Sequence, residues 1–227
     1  MKVTYYGHAT VYMEVAGKRL LFDPFISGNE LAKDIDLEAI KVDYLLLSHA
    51  HQDHILDTEA IFKNNPDLTL ISSFEIINYF NKKGIENALP MNLGGKIQID
   101  DLEIKMTIAH HTSSFPDGSY GGNPAGFVVK AQEGTFYFAG DTALTNDMKL
   151  IADEYKIDFS ILPIGDHFTM GIDDALRSAD FVQCDRIVAM HYDTFPPIKV
   201  NQEECLQKAE KANKELIFIE IGKSVNL

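Results

Sequence analysis

Short apolar runs alternate with amphipathic ones along most of the chain. Thr10–Val15 and Lys18–Phe22 read as strands either side of Ala16-Gly17, the pattern of a hairpin. Val42–Ser48 (VDYLLLS) is apolar enough to be a buried strand. Asp57 is placed to cap a helix that runs to about Asn64 and ends before Pro66. Leu68–Ser72 then reads as a strand, and Phe74–Lys83 as a helix stopped by Gly84.

The second half follows a similar plan. Gly126–Lys130 and Thr135–Phe138 flank Glu133-Gly134, a second hairpin. The first hairpin runs into Asp23-Pro24, the second into Asp141-Thr142. A helix over Asn146–Tyr155 leads to Lys156-Ile157-Asp158-Phe159, which echoes Lys41-Val42-Asp43-Tyr44. Helix Asp173–Gln183 and strand Arg186–Met190 complete the series. The expected fold is α/β: two similar halves, each a mixed sheet with helices on one face, packed sheet against sheet. That makes a four-layer αββα sandwich in one domain over residues 1–227. Ligands in such architectures collect beyond the strand ends.

Hydrophobic residues make up 45% of the chain and charged residues 24%, so an ordinary globular core is expected. The formal net charge of -14 disfavours phosphate backbones, and no nucleic-acid partner is expected. A small anionic substrate stays open, because bound metals invert a local field. Met1-Lys2-Val3-Thr4-Tyr5-Tyr6 suits a first strand, not a secretory leader. No apolar run approaches the roughly 20 residues that cross a membrane. Cys184 and Cys205 lack Cys-x-x-Cys spacing and read as reduced thiols of a cytoplasmic protein.

Eight histidines change the picture: His8, His49, His51, His54, His110, His111, His167 and His191. Ser48-His49-Ala50-His51-Gln52-Asp53-His54 follows the strand VDYLLLS directly. His49 and His51, two apart, face one way in an extended segment, while Asp53 and His54 fall where the chain turns. Imidazole nitrogen mixed with carboxylate oxygen suits zinc, manganese or iron. His110 and His111 are neighbours on a strand end, so one of the two faces the site. Asp141 is either a ligand or a turn residue, and Asp23 either supports a ligating histidine or starts the turn before Pro24.

His-x-His-x-Asp-His after a strand resembles the signature of the metallo-β-lactamase superfamily. Gly7-His8-Ala9, Asp23-Pro24, His111, Gly140-Asp141-Thr142 and His191 match in order along nearly the whole chain. Asp23-Pro24-Phe25-Ile26-Ser27-Gly28, Gly121-Gly122-Asn123-Pro124-Ala125-Gly126-Phe127 and Leu162-Pro163-Ile164-Gly165-Asp166 are similar to a narrower branch of metal-dependent hydrolases related to ascorbate-6-phosphate lactonase. The resemblance implies that His49, His51 and His111 hold one divalent ion. It implies that Asp53, His54 and His191 hold a second, with Asp141 bridging. It prefers His111 to His110, leaving His110 buried or behind the ligands. Where the family more often carries asparagine this chain has His167. His167 and Asp166 are therefore candidates for the pocket rim, with His167 a candidate proton donor to the leaving group. His8 is a candidate for the rim or for support.

The chemistry implied is hydrolysis by a water activated between two metals, zinc or manganese, with Asp53 also able to accept a proton. Small ester-like substrates fit: a lactone, phosphorylated or not, or a phosphodiester. A nuclease of the same superfamily is the alternative, and the acidic balance argues against it. A non-catalytic scaffold is a third reading, weakened because all seven ligands are present. Relatives of this kind suggest a homo-oligomer.

Overall fold

The computed structural model describes residues 1–227. Two seven-stranded sheets carry the fold. The first contains β1 (Lys2–Gly7), β2 (Thr10–Val15), β3 (Lys18–Phe22), β4 (Tyr44–Leu46), β5 (Thr69–Ser73), β6 (Ala88–Met91) and the last strand, β14 (Ser224–Asn226). The second contains β7 (Lys96–Ile99), β8 (Leu102–Ile108), β9 (Ala125–Ala131), β10 (Gly134–Phe138), β11 (Phe159–Pro163), β12 (Arg186–Met190) and β13 (Glu215–Ile217). The orders are β14-β1-β2-β3-β4-β5-β6 and β13-β12-β11-β10-β9-β8-β7. In each, a hairpin supplies antiparallel strands and its second strand opens a parallel series: β3-β4-β5-β6 and β10-β11-β12-β13. The repeat read in the sequence is therefore present in the topology. One exception ties the halves together: β14 crosses over to pair with β1.

Helices flank the sheets: α1 (Gln52–Ile55), α2 (Thr58–Asn64) and α3 (Phe74–Asn81) from the first half, α4 (Lys149–Glu154), α5 (Ile172–Phe181) and α6 (Gln202–Lys211) from the second. Between the sheets, the Phe22 ring stacks on Phe138 at 4.6 Å and meets Phe127 and Phe136. Phe22 and Phe138 occupy the same place in their respective halves, just before Asp23 and Gly140-Asp141. This aromatic contact between the sheets thus anchors the two chain segments that deliver these aspartates.

Several local expectations shift. The VDYLLLS strand is regular only over Tyr44–Leu46, although Asp43 and Leu47 still bond to Arg19 and Ile71 of the neighbouring strands. Asp57 sits at the start of α2 but its side chain does not cap it. It accepts instead from the Ile26 and Ser27 backbone N–H groups at 2.6 and 2.9 Å, tying the loop after β3 to the loop after β4. A long-range partner outcompetes the local one because those two N–H groups have no strand to bond. The helix expected over Asn146–Tyr155 begins as a 3-10 turn at Asn146–Met148 before α4. Strands β6, β7, β8, β13 and β14 and helix α6 lie outside the elements expected from the sequence, although β7 and β8 alternate apolar and polar residues.

Candidate metal centre

The loops after β3, β4, β8, β10 and β12 leave the two sheets at one end and converge there. His49, His54, Asp23, Asp141 and His191 are buried, while His51, Asp53 and His111 are half-buried. Four imidazoles surround a single carboxylate oxygen. Asp141 Oδ2 lies 3.0 Å from His191 Nε2, 3.2 Å from His54 Nε2, 3.6 Å from His111 Nε2 and 4.0 Å from His49 Nε2. Donor atoms of His49, His51 and His111 lie within 4.8 Å of one another, and so do those of His8, Asp53, His54 and His191. The two groups meet at Asp141.

Backbone geometry aims these side chains. Gly140 has φ +63°, and a Cβ there would stand 2.4 Å from the Ala125 carbonyl. Only glycine lets the chain turn Asp141 inward so close to β9. His8, Asp23 and His191 also take left-handed backbone conformations, at φ 56°, 43° and 54°. Non-glycine residues pay about 1–2 kcal/mol for that region, so their clustering marks a strained functional end of the fold.

An outer layer of contacts orients the donors. Asp23 accepts the Ser48 N–H at 2.7 Å and the Ser48 hydroxyl at 2.5 Å, and faces His54 Nδ1 at 2.8 Å. Ser48 Oγ also lies 2.9 Å from His49 Nδ1. Asp23 and Ser48 thereby occupy the outward nitrogens of His54 and His49 and leave both Nε2 atoms facing inward, which is how ligating histidines are held. Asp23→Asn should weaken divalent-ion binding about 10- to 100-fold. Competition against a chromophoric chelator measures this, and unchanged affinity would reduce Asp23 to a turn residue.

Charge is unevenly held. Burial disfavours a charged His54, but Asp141 and Asp23 on its two sides raise it well above the usual histidine range. Burial pushes His49 well below that range, with His54 adding to the effect. Burial works against ionised Asp141, yet His191 and His54 hold it well below the usual carboxylate range. His8 falls to about 4, mainly through burial.

The residues fit a metal on independent grounds. His49 Nε2 and His51 Nδ1 point at each other 2.9 Å apart, a contact in which only one nitrogen can carry a proton. His54 Nε2, close to Asp141 but misaligned for a hydrogen bond, has no partner; neither have Asp141 Oδ1 and His191 Nδ1, all buried. Unpartnered polar atoms at this depth are costly, and a cation beside Asp141 that displaces the protons of its imidazoles satisfies those that face it. Imidazole and carboxylate together make a set suited to zinc, manganese or iron.

Other candidates lie further out. His110 is a correction: it is exposed, neither buried nor behind the ligands, and its Nε2 faces Asp147 Oδ2 at 3.1 Å. Neighbouring residues on an extended segment face opposite ways, so turning His111 inward sends His110 to solvent. Asp166 and His167 follow β11, the counterpart of β4, on an exposed loop whose end is pinned by the Met170 N–H to the Thr142 carbonyl at 3.0 Å. The His167 ring packs edge-on against Phe168, and neither His167 nor Asp166 hydrogen-bonds a residue of the cluster. Ser48 and Thr194, which contact His49 and His8, were not anticipated in these roles. Ser48 adjoins the histidine motif, whereas nothing in the sequence singles out Thr194. Both cysteines are free and buried, and no helix is long and apolar enough to cross a membrane.

Comparison with known proteins agrees with this geometry. Residues 2–191 match the family described as the Beta-lactamase superfamily domain. A UPF0173 metal-dependent hydrolase of Christiangramia forsetii is 50% identical over 228 residues, covering 100% of both chains. Its counterpart in Flavobacterium johnsoniae is 49% identical, again over 100% of each. Among solved structures, Igni18, a metallo hydrolase from Ignicoccus hospitalis, superposes with a TM-score of 0.89 at 34% identity, covering 99% of this chain and 97% of its own. The chain belongs to the metallo-β-lactamase superfamily and is a metal-dependent hydrolase.

Proposed function

We propose that this hydrolase cleaves a small ester-like substrate, a lactone or a phosphodiester, with two divalent ions, zinc or manganese. His49, His51 and His111 would hold the first ion, Asp53, His54 and His191 the second, and Asp141 both. The observation that carries this reading is the convergence of four imidazole nitrogens within 4.0 Å of one Asp141 oxygen. One carboxylate at the meeting point of two donor groups suits a shared ligand, since its charge offsets repulsion between two dications.

Bound ions supply Lewis acidity, bringing the pKa of a water toward about 7 and polarising a carbonyl or phosphoryl oxygen. The chain supplies order around them. Ser48 and Asp23 hold His49 and His54 with Nε2 inward. Burial favours an uncharged Asp53, but the His8 contact and the nearby His54 keep its carboxylate below the usual range, so it is ionised, as a ligand or proton acceptor must be. His167, exposed beyond β11, is free to bring a proton to a leaving oxygen. Rates on a mixed panel of lactones and phosphodiesters, with zinc or manganese and beside His49→Ala, test the reading. Turnover of one class that vanishes in the variant is expected. A panel without metal-dependent turnover, alongside cleavage of structured RNA, would replace it with the nuclease reading.

A further inference from the structure

His8 stands outside the seven proposed ligands, yet it grips them from two sides. Its side chain is fully buried, with Nε2 3.0 Å from Asp53 Oδ2 and Nδ1 3.0 Å from Thr194 Oγ1. Its backbone carbonyl accepts the His191 N–H at 2.6 Å and the Tyr5 hydroxyl at 2.9 Å. The ring lies 4.1 Å from the His191 ring and meets Phe25 and Phe195 edge-on, each at 5.4 Å. One residue near the chain start therefore touches Asp53 from the first sheet and His191 from the second.

We propose that His8 is the positioning residue of the second metal site, clamping Asp53 through its ring and seating His191 through its carbonyl. This rests on the two-ion reading above. His8 is close enough to ligate, but both its ring nitrogens are engaged. A carboxylate only accepts, so Nε2 carries the proton toward Asp53, and Nδ1 is left to accept from the Thr194 hydroxyl. No lone pair remains for a metal. Asp53 needs such a clamp: it lies half-buried on α1, a helix of four residues, and the protein hydrogen-bonds its carboxylate from His8 alone. His54 and His191, by contrast, are buried. Loss of the His8 ring frees the Asp53 rotamer and leaves the His49, His51 and His111 group untouched.

Zinc titration of the metal-stripped full-length protein tests this, with calorimetry for affinities and native mass spectrometry for stoichiometry. Wild type, His8→Ala and His8→Gln are compared. The glutamine amide N–H reaches the position of Nε2, and both variants bear the same left-handed backbone cost at φ 56°. All three proteins are expected to take the first ion alike. The second ion should bind His8→Ala about 10- to 100-fold more weakly and return most of the way in His8→Gln. Two ions held by His8→Ala as tightly as by wild type would overturn the proposal. So would equal loss of both ions in the two variants with a lowered melting temperature of the stripped protein, which marks a purely structural residue. A wild type that binds one ion would overturn the two-ion reading, and this inference with it; that result is read before any variant is made.

Discussion

Asp141→Asn should lower kcat/KM at least about a thousand-fold, equivalent to about 4 kcal/mol of transition-state stabilisation. The Asp141 carboxylate faces imidazoles of both donor groups. Its Oδ2 is the atom on which His49, His54, His111 and His191 converge. The amide is the same size, so packing is conserved. What changes is charge and hydrogen-bonding sense: an NH2 group cannot face imidazole lone pairs and a cation together. Metal content measured beside activity separates two routes to the loss. A variant that keeps the wild-type metal content but not turnover assigns Asp141 to the chemistry. One that binds less metal assigns it to holding the metal. A variant retaining more than about a tenth of wild-type kcat/KM would contradict the central role.

Stripping the metals should lower the melting temperature by about 8–16 °C. An ion at a thousand times its dissociation constant stabilises the folded state by about 4 kcal/mol. Each kcal/mol moves the transition of a chain this size by about 2–4 °C. The gap should narrow as pH falls. Asp141 and Asp23 raise the folded pKa of His54 above its unfolded value. Its stabilisation of the stripped protein is therefore fully present below about pH 6.5 and is lost as pH rises through the folded value. Acid strengthens the stripped form while protons compete with metal for the same imidazoles. Scanning calorimetry with and without chelator at several pH values reads both effects. A melting temperature indifferent to chelator would mean that the cluster is satisfied without a cation.

Much of this was legible because it is local. The hairpins at Ala16-Gly17 and Glu133-Gly134 follow from period-two runs around tight turns, and both form. The histidine motif after VDYLLLS declares its chemistry by spacing alone. Even the internal repeat was visible in the two aspartates that end the hairpins, and the parallel series of each sheet bears it out.

Other features failed to show for a common reason. Asp57 looked like a helix cap and became a tie for the Ile26 and Ser27 amides. His110 looked buried and is exposed, because the direction of His111 decides that of its neighbour.

By itself the sequence determined which residue types could make a metal centre, the hairpins that frame it and the halves that repeat. Those are properties of spacing and periodicity along a few residues. Only the tertiary structure decided that Asp141, His111 and His191 meet the His49 loop, that Ser48 and Asp23 turn two imidazoles inward, and that His8 reaches both Asp53 and His191. These contacts join strand ends far apart in the chain. Their directions depend on left-handed backbone turns at His8, Asp23, Gly140 and His191 and on how two sheets pack, and no local pattern encodes either.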